Sequence, residues 1–241
     1  MAGTVDSPRV VAIETTGRQG STVLAAGDEI VAMARFAADL QHAAELLPTI
    51  DRLCTACTWH PEMIEEVYVS AGPGSFTGCR IGVTMARAMA LAVGARLIRV
   101  PTTEVLAWNA IDLPDPPDHL VVILDAQRRQ VYASLFHLEG RRYVCRQGVH
   151  VGEPGALLMA LPKPCSALGE GIAYHRRALE GLDLNILPEP LWSARAENVL
   201  RVGRELARRG FYVAAGDLVP IYIRPPEAEE RWQARWSSGG A

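Results

Sequence analysis

The 241 residues are 49% apolar and 21% charged, the balance of an ordinary globular chain long enough for one large core or two smaller ones. The formal charge of −3 argues against a protein that grips a nucleic-acid backbone by itself, because each phosphate contact calls for a cation. No run approaches the ~18 consecutive apolar residues of a membrane span, and Met1 to Pro8 lacks the basic-then-apolar order of a secretory signal, so a cytoplasmic location is expected.

Along the chain, RVVAIE at 9–14 is a short apolar run followed by the polar turn Thr15-Thr16-Gly17-Arg18-Gln19-Gly20. Ser21–Ala26 and Glu29–Phe36 follow as strands, with Gly27-Asp28 between them as a hairpin signal. From about Leu40 the period becomes helical, with Ala43, Leu46, Leu47, Ile50, Leu53, Cys54 and Cys57 forming one broad apolar face. Pro48 falls inside it, where a missing N–H predicts a bend or a helix restart. Glu66–Ser70 is a strand, a glycine-rich turn leads into a helix over Thr77–Val93, and Arg96–Val100 is again a strand before a helix begins at Thr102.

Leu113-Pro114-Asp115-Pro116-Pro117 is the clearest linker. It divides an N-terminal half, 1–112, from a C-terminal half, 118–214, with 215–241 expected to pack back on the first. Strand-like runs at Leu120–Leu124, Gln130–Leu138 and Tyr143–Val151 open the second half, and Leu218–Arg224 is expected as a final strand. The paired arginines at 128–129, 141–142, 176–177 and 208–209 read as solvated faces. Cys54 and Cys57 form a CxxC without the second pair that a zinc site needs, so the five cysteines are expected as reduced thiols.

Chemistry, if the chain carries any, centres on Ala71-Gly72-Pro73-Gly74-Ser75-Phe76-Thr77-Gly78, a strand-to-helix turn of the kind whose free N–H groups cradle anions. The phosphate signatures fail on it. Cys79 follows Gly78 where a Walker loop has lysine, and Thr77 stands where a dinucleotide fingerprint has its third glycine. A nucleophile elbow would need glycine at Pro73, so a hydrolase built on Ser75 ranks last. Ser75 or Thr77 as a helix cap is the simpler role.

The helix after this turn holds Gly78, Gly82, Ala86, Ala90 and Gly94 at four-residue intervals, a ridge almost without side chains. Gly82 in mid-helix costs ~1 kcal/mol against alanine, and close approach of another backbone is the usual compensation. Ile81, Met85, Ala88 and Ala92 form a second apolar strip beside it. So wide an apolar arc is either buried within one domain or shared with another chain, and periodicity does not choose between them.

The run AGPGSFTGCRIGVTMARAMALAVG closely resembles the TsaB (YeaZ) family, whose signature is GPGSFTG followed by Arg-Ile-Gly. Val11-Ala12-Ile13-Glu14-Thr15-Thr16, His42 with Leu46-Leu47-Pro48, Leu124-Asp125-Ala126-Gln127-Arg128, Gly169-Glu170-Gly171 and Pro220-Ile221-Tyr222-Ile223-Arg224 extend the likeness along nearly the whole chain.

The resemblance implies an actin/Hsp70/sugar-kinase (ASKHA) fold, two α/β halves with mixed sheets and a cleft between them. It implies a non-catalytic subunit of the complex that places threonylcarbamoyl on N6 of adenosine 37 of tRNA. The expected partners are the catalytic paralogue TsaD, a TsaE-type ATPase through the complex, tRNA indirectly, and a second copy of the chain when TsaD is absent. The partner interface is expected on two helices, at Ala43, Leu46, Leu47, Ile50 and Cys54 of the first and Gly78, Ile81, Gly82, Met85, Ala86, Met89 and Ala90 of the second. The catalytic paralogue holds its metal with two histidines four residues apart, whereas here His42 is followed by Leu46, so no metal site and no catalytic residue are expected. No cofactor of its own is implied; any ATP or ADP contact would run through Glu14, Thr15, Asp125 and Glu170. An independent actin-fold ATPase or small-molecule kinase is the alternative.

Overall fold

The structure, a computed structural model, describes residues 7–36 and 42–223. The first half contains β1 (Arg9–Glu14), β2 (Gly20–Ala26), β3 (Glu29–Phe36), α1 (His42–Ala56), β4 (Glu66–Ser70), α2 (Phe76–Val93), β5 (Arg96–Val100) and α3 (Thr102–Ala107). The second contains β6 (His119–Asp125), β7 (Val131–Glu139), β8 (Arg142–Gly152), α4 (Pro154–Leu158), β9 (Ser166–Leu168), α5 (Gly171–Leu179) and β10 (Asn185–Ile186), and α6 (Ala196–Arg208) follows.

The two sheets repeat one plan. The first runs β3-β2-β1-β4-β5 and the second β10-β9-β6-β7-β8. In each, the opening three strands are an antiparallel meander, and the first strand pairs in parallel with a later one that follows a helix. The opening strands β1 and β6 are central, and their apolar runs are buried on both sides of the sheet. Along β1, Val10 and Ala12 face one core while Val11 and Ile13 face another, as the two-residue period of a strand requires.

Those two cores decide the layering. Val11 and Ile13 pack with α1 and α2, whereas Val10 and Ala12 join a larger core containing residues of α3, α6 and the second sheet. Helix α6, grouped by chain order with the second half, lies on the first sheet, with the ring of Tyr68 seated against Gly203. Buried Glu66 accepts hydrogen bonds from the Tyr68 hydroxyl, the Arg96 guanidinium and the Tyr212 hydroxyl, which fastens the segment after α6 to the first sheet. Two expectations about elements change. Helix α1 runs unbroken through Pro48, because Pro48 and Ala44 both lie on the exposed side, where the freed Ala44 carbonyl is open to water. Leu218–Ile223 is not a strand, since Pro220 has no N–H to give and Ile221 makes a single bond to the Ala71 carbonyl; Arg224 lies outside the described residues.

The glycine ridge of α2 also needs correction. Gly78, Gly82 and Ala86 point inward, against the chain's own first half, and not toward a second chain. A Cβ on Gly78 would sit 1.9 Å from the Thr15 carbonyl oxygen, and one on Gly82 would sit 2.5 Å from Thr15 Oγ1 and 3.2 Å from Val69 Cγ2. The close backbone is therefore the β1–β2 turn. Leu46, Ile50 and Cys54 of α1 are likewise in the core, so these six expected interface residues are not available to a partner. Gly94 ends the ridge as a left-handed helix cap, φ 77°.

Gly78→Ala is expected to lower stability by about 3 kcal/mol in urea unfolding, the upper end of overpacking costs, because backbone rather than a movable side chain stands in the way. Ala88→Leu on the exposed side should stay within ~0.5 kcal/mol of the parent. Equal stability of the two variants would contradict this orientation of α2.

Candidate functional site

The site is the seam between the halves, where the β1–β2 turn, the 71–78 loop and the ends of β6 and β9 converge. Glu14 closes β1 fully buried, and its Oε1 accepts from Thr16 N at 2.5 Å and Thr16 Oγ1 at 2.6 Å. Its Oε2 has no partner. Burial pushes the carboxyl above its ordinary range, and the Thr16 hydrogen bonds oppose this only in part. A carboxyl held toward its neutral form is a poor ligand for a cation.

The turn spends its acceptors on the glycine-rich loop. Ser75 N donates to Thr16 O at 2.8 Å and Thr15 Oγ1 donates to Gly78 O at 2.8 Å. Gly74 lies so near that a Cβ there would be 2.8 Å from Thr16 O. On its other side the loop is held by Thr102, whose Oγ1 accepts from Gly72 N at 3.0 Å and shares a hydrogen bond with Ser70 Oγ at 2.8 Å. Ile221 N donates to Ala71 O at 2.7 Å. Pro73 is buried, and Ser75 caps α2 by accepting from Gly78 N at 3.2 Å, the capping role expected for it; Thr77 lies exposed in the first turn. The signature is thus a joint between strand and helix. Its exposed members, Phe76 and Thr77, face outward; the Arg80 guanidinium lies 3.7 Å over the Phe76 ring and donates to Tyr222 OH at 3.0 Å.

His42 belongs to the same joint. It is buried, its Nε2–H donates to Gly17 O at 3.0 Å, and its ring meets Phe36 edge-on at 5.5 Å. It holds the turn, which is a packing role. Leu46, one helical turn on, is wholly buried in the apolar core.

Across the seam, Asp125 ends β6 and accepts from Gln127 N at 3.1 Å and from His175 of α5 at 2.9 Å. Gln127, Arg128 and Arg129 follow with left-handed φ values of 59°, 50° and 63°, three consecutive non-glycine residues in a region that costs side chains energy. Gly169 and Gly171 lie flush on β6, where a Cβ would come within 2.3 Å of Ile123 O and 2.6 Å of the Leu124 carbonyl carbon. They project Glu170 between them to within 3.9 Å of the Cβ position on Gly17, and Arg18 reaches over to the Tyr174 ring at 5.7 Å. Glu14, Asp125 and Glu170, expected from sequence at any nucleotide contact, lie close enough for the first two to act on the Glu170 carboxyl. Burial first, then Glu14 and Asp125, raise the Glu170 carboxyl to about 6, while Arg18 works the other way. Sequence reasoning missed Arg18, Ser70, Thr102 and His175, none of which stands in a motif that separates it from ordinary surface or strand residues. The five cysteines are unpaired, and burial raises the Cys79 thiol to about 12, which makes it a poor nucleophile.

The Glu170 shift sets a pH dependence. A carboxyl whose folded value is raised binds its proton more tightly when folded, so its ionisation weakens the fold as pH climbs from 4.5 to about 6. Glu170→Gln should therefore melt like the parent below pH 4.5 and be more stable above about pH 6, by up to roughly 2 kcal/mol. A variant no more stable than the parent at pH 7.5 would contradict the seam electrostatics.

A profile of the family described as TsaD, tRNA N6-adenosine threonylcarbamoyltransferase, matches residues 36–211. The chain is 29% identical over 230 residues to the tRNA threonylcarbamoyladenosine biosynthesis protein TsaB of Bacillus subtilis, covering 92% of this chain and 97% of that one. To a tRNA N6-adenosine threonylcarbamoyltransferase of Anaeromyxobacter dehalogenans it is 29% identical over 149 residues, 60% of this chain but only 43% of the other. YeaZ from Pseudomonas aeruginosa has the same fold, with a TM-score of 0.76 at 21% identity over 88% of this chain and 100% of its own. The duplicated sheet plan with its seam is the actin-like ASKHA architecture, and the chain belongs to the TsaB (YeaZ) branch of the TsaD family.

Proposed function

We infer that this chain serves tRNA threonylcarbamoyladenosine biosynthesis as a non-catalytic subunit that pairs with a TsaD-type transferase through the outer faces of α1 and α2. One observation carries this. Helix α2 is apolar enough by length and composition alone to pass for a membrane span, yet only 28% of it is buried within its own fold. Its inner strip rests on the β1–β2 turn, while Ile81, Met85 and Met89 are half-covered and Ala88, Leu91 and Ala92 are open. Leu47 of α1 is 55% exposed, and Ala43 and Ala44 lie open near it on the same helix. Arg80 and Arg87 on α2, and its packing against β4, fit a soluble interface better than a bilayer. Apolar helix faces of this kind are what protein interfaces bury.

The sequence reading therefore shifts by one strip. The contact surface consists of Ala43, Leu47, Ile81, Met85, Met89 and the half-exposed Ala90, and the glycines behind it support the helix that presents them. The same surface allows self-association that the transferase displaces. A TsaE-type ATPase joins through the complex, and a chain of net charge −3 meets tRNA through its partner. A cytoplasmic setting follows from that role.

The non-catalytic assignment is supported by Leu46, a core residue where the catalytic paralogue is expected to have its second metal-binding histidine, and by the commitment of His42 to Gly17. An independent ATPase or kinase would need an ionised carboxylate at Glu14 and room for phosphates at the turn. Glu14 is buried and shifted toward its neutral form, and the turn is occupied in holding α2. No cofactor of the chain's own is called for.

Leu47→Asp combined with Met85→Asp should leave the monomer folded and lower its affinity for the TsaD-type paralogue at least 100-fold, as loss of two interface anchors worth ~2 kcal/mol each would do. Light scattering of the mixed proteins reads this directly. Undiminished heterodimer with a folded double variant would contradict the proposed face.

A further inference from the structure

The last described residues are pinned beside the first turn of α2. Ile221 N donates to Ala71 O at 2.7 Å, the Tyr222 ring lies 5.6 Å from that of Phe76, and the Tyr222 hydroxyl accepts from Arg80 Nε at 3.0 Å. At about 100° per residue, Phe76, Arg80, Arg87 and Leu91 share one flank of α2, while Met85 and Met89 lie on the opposite one. Leu91, 76% exposed, is the barest large apolar side chain among the described residues. Arg87 has no hydrogen bond or ion pair among them, and α2 itself carries no acidic side chain.

The sequence that follows Tyr222 supplies the matching chemistry. Residues 224–241, RPPEAEERWQARWSSGGA, lie outside the described residues. Glu227, Glu229 and Glu230 come first, and Trp232 and Trp236 after them. Residues four apart fall on one side of a chain, be it helical or extended, so the two indoles belong to one apolar side. Trp59, Trp108 and Trp192 already pack in the two cores of the described fold. The run around Trp232 and Trp236 has too few other apolar residues to build a core for them.

We propose that residues 224–236 fold back along this flank of α2, with the three glutamates on Arg80 and Arg87 and the indoles over Leu91. The order matches: acid then tryptophan along the segment, arginine then leucine along the helix, both counted from the Phe76–Tyr222 contact. The reach matches as well. Phe76 to Leu91 is ~22 Å at 1.5 Å per residue, and Trp236 lies ~21 Å from Tyr222 if the segment is helical and farther if extended. One chain thus covers one flank of its own α2 and leaves the Ile81–Met85–Met89 side for another protein. The inference does not depend on which protein that is.

Nitrogen-15 NMR of the full chain, labelled on its tryptophan indoles, tests this, with Trp232→Phe and Trp236→Phe assigning the two signals. Both indole N–H groups should exchange with solvent at least tenfold more slowly than free tryptophan. Leu91→Asp and Arg87→Glu, neither in the core, should each restore the fast rate, while Trp192, 6% exposed and donating to Leu187 O, keeps its own. Exchange as fast as free tryptophan in the parent, a result that depends on no variant remaining folded, would overturn the proposal. So would slow exchange that both substitutions leave unaltered. Slow exchange that is lost on dilution would place the indoles on a second copy of the chain, and would overturn it too.

Discussion

The contact on which the rest depends is the seating of the first turn of α2 on the β1–β2 turn. Gly78 faces the Thr15 carbonyl with no room for a methyl group, while Thr15 Oγ1 and Ser75 N tie the same two segments together. A buried hydroxyl–carbonyl bond and a backbone bond at this spacing hold one arrangement, because losing either would leave an enclosed polar atom unpaired. The rotation of α2 about its axis is thereby settled. Once Gly78, Gly82 and Ala86 are turned inward, the helix has no choice but to present Ile81, Met85, Ala88 and Ala92 on the other side.

The same contact accounts for the character of the seam. In an ATPase of this architecture the first turn would be left open for phosphates. Here the Thr16 carbonyl accepts from Ser75 N of the loop that starts α2, the Thr15 hydroxyl donates to Gly78 O, Glu14 is sealed beneath the turn, and His42 braces it from α1. Glu170, Asp125 and Arg18 meet near this closed turn, where Arg18 favours the Glu170 carboxylate while Asp125 opposes it. The seam is an internal joint, and the contact surface we propose is the helix pair outside it.

Much of this was legible in the residues. The opening strands of both halves and the capping role of Ser75 follow from local chemistry, since apolar runs and helix caps act over a few residues. The four-residue glycine ridge correctly announced a close backbone. It could not say whose, because a helix meets its own sheet and a foreign helix with the same small residues. Leu46, Ile50 and Cys54 were ambiguous for that reason as well: they lie on the same broad face as Leu47, and only the position of the sheet separates buried from exposed. The placement of α6 on the first sheet and the assembly of Arg18, Ser70, Thr102 and His175 around the seam depend on contacts between residues far apart in the chain, for which no sequence pattern exists. The left-handed run Gln127-Arg128-Arg129 was hidden too, since it contains none of the glycines that usually mark such a turn.

The most direct test of the outward face is methionine oxidation by hydroxyl radicals, read by mass spectrometry on the chain alone and mixed with its TsaD-type paralogue. Met85 and Met89 should lose most of their labelling in the mixture, while Met159, 74% exposed on the second half, keeps its own. Labelling of Met85 and Met89 that stays unchanged in a complex proven to have formed would contradict the account.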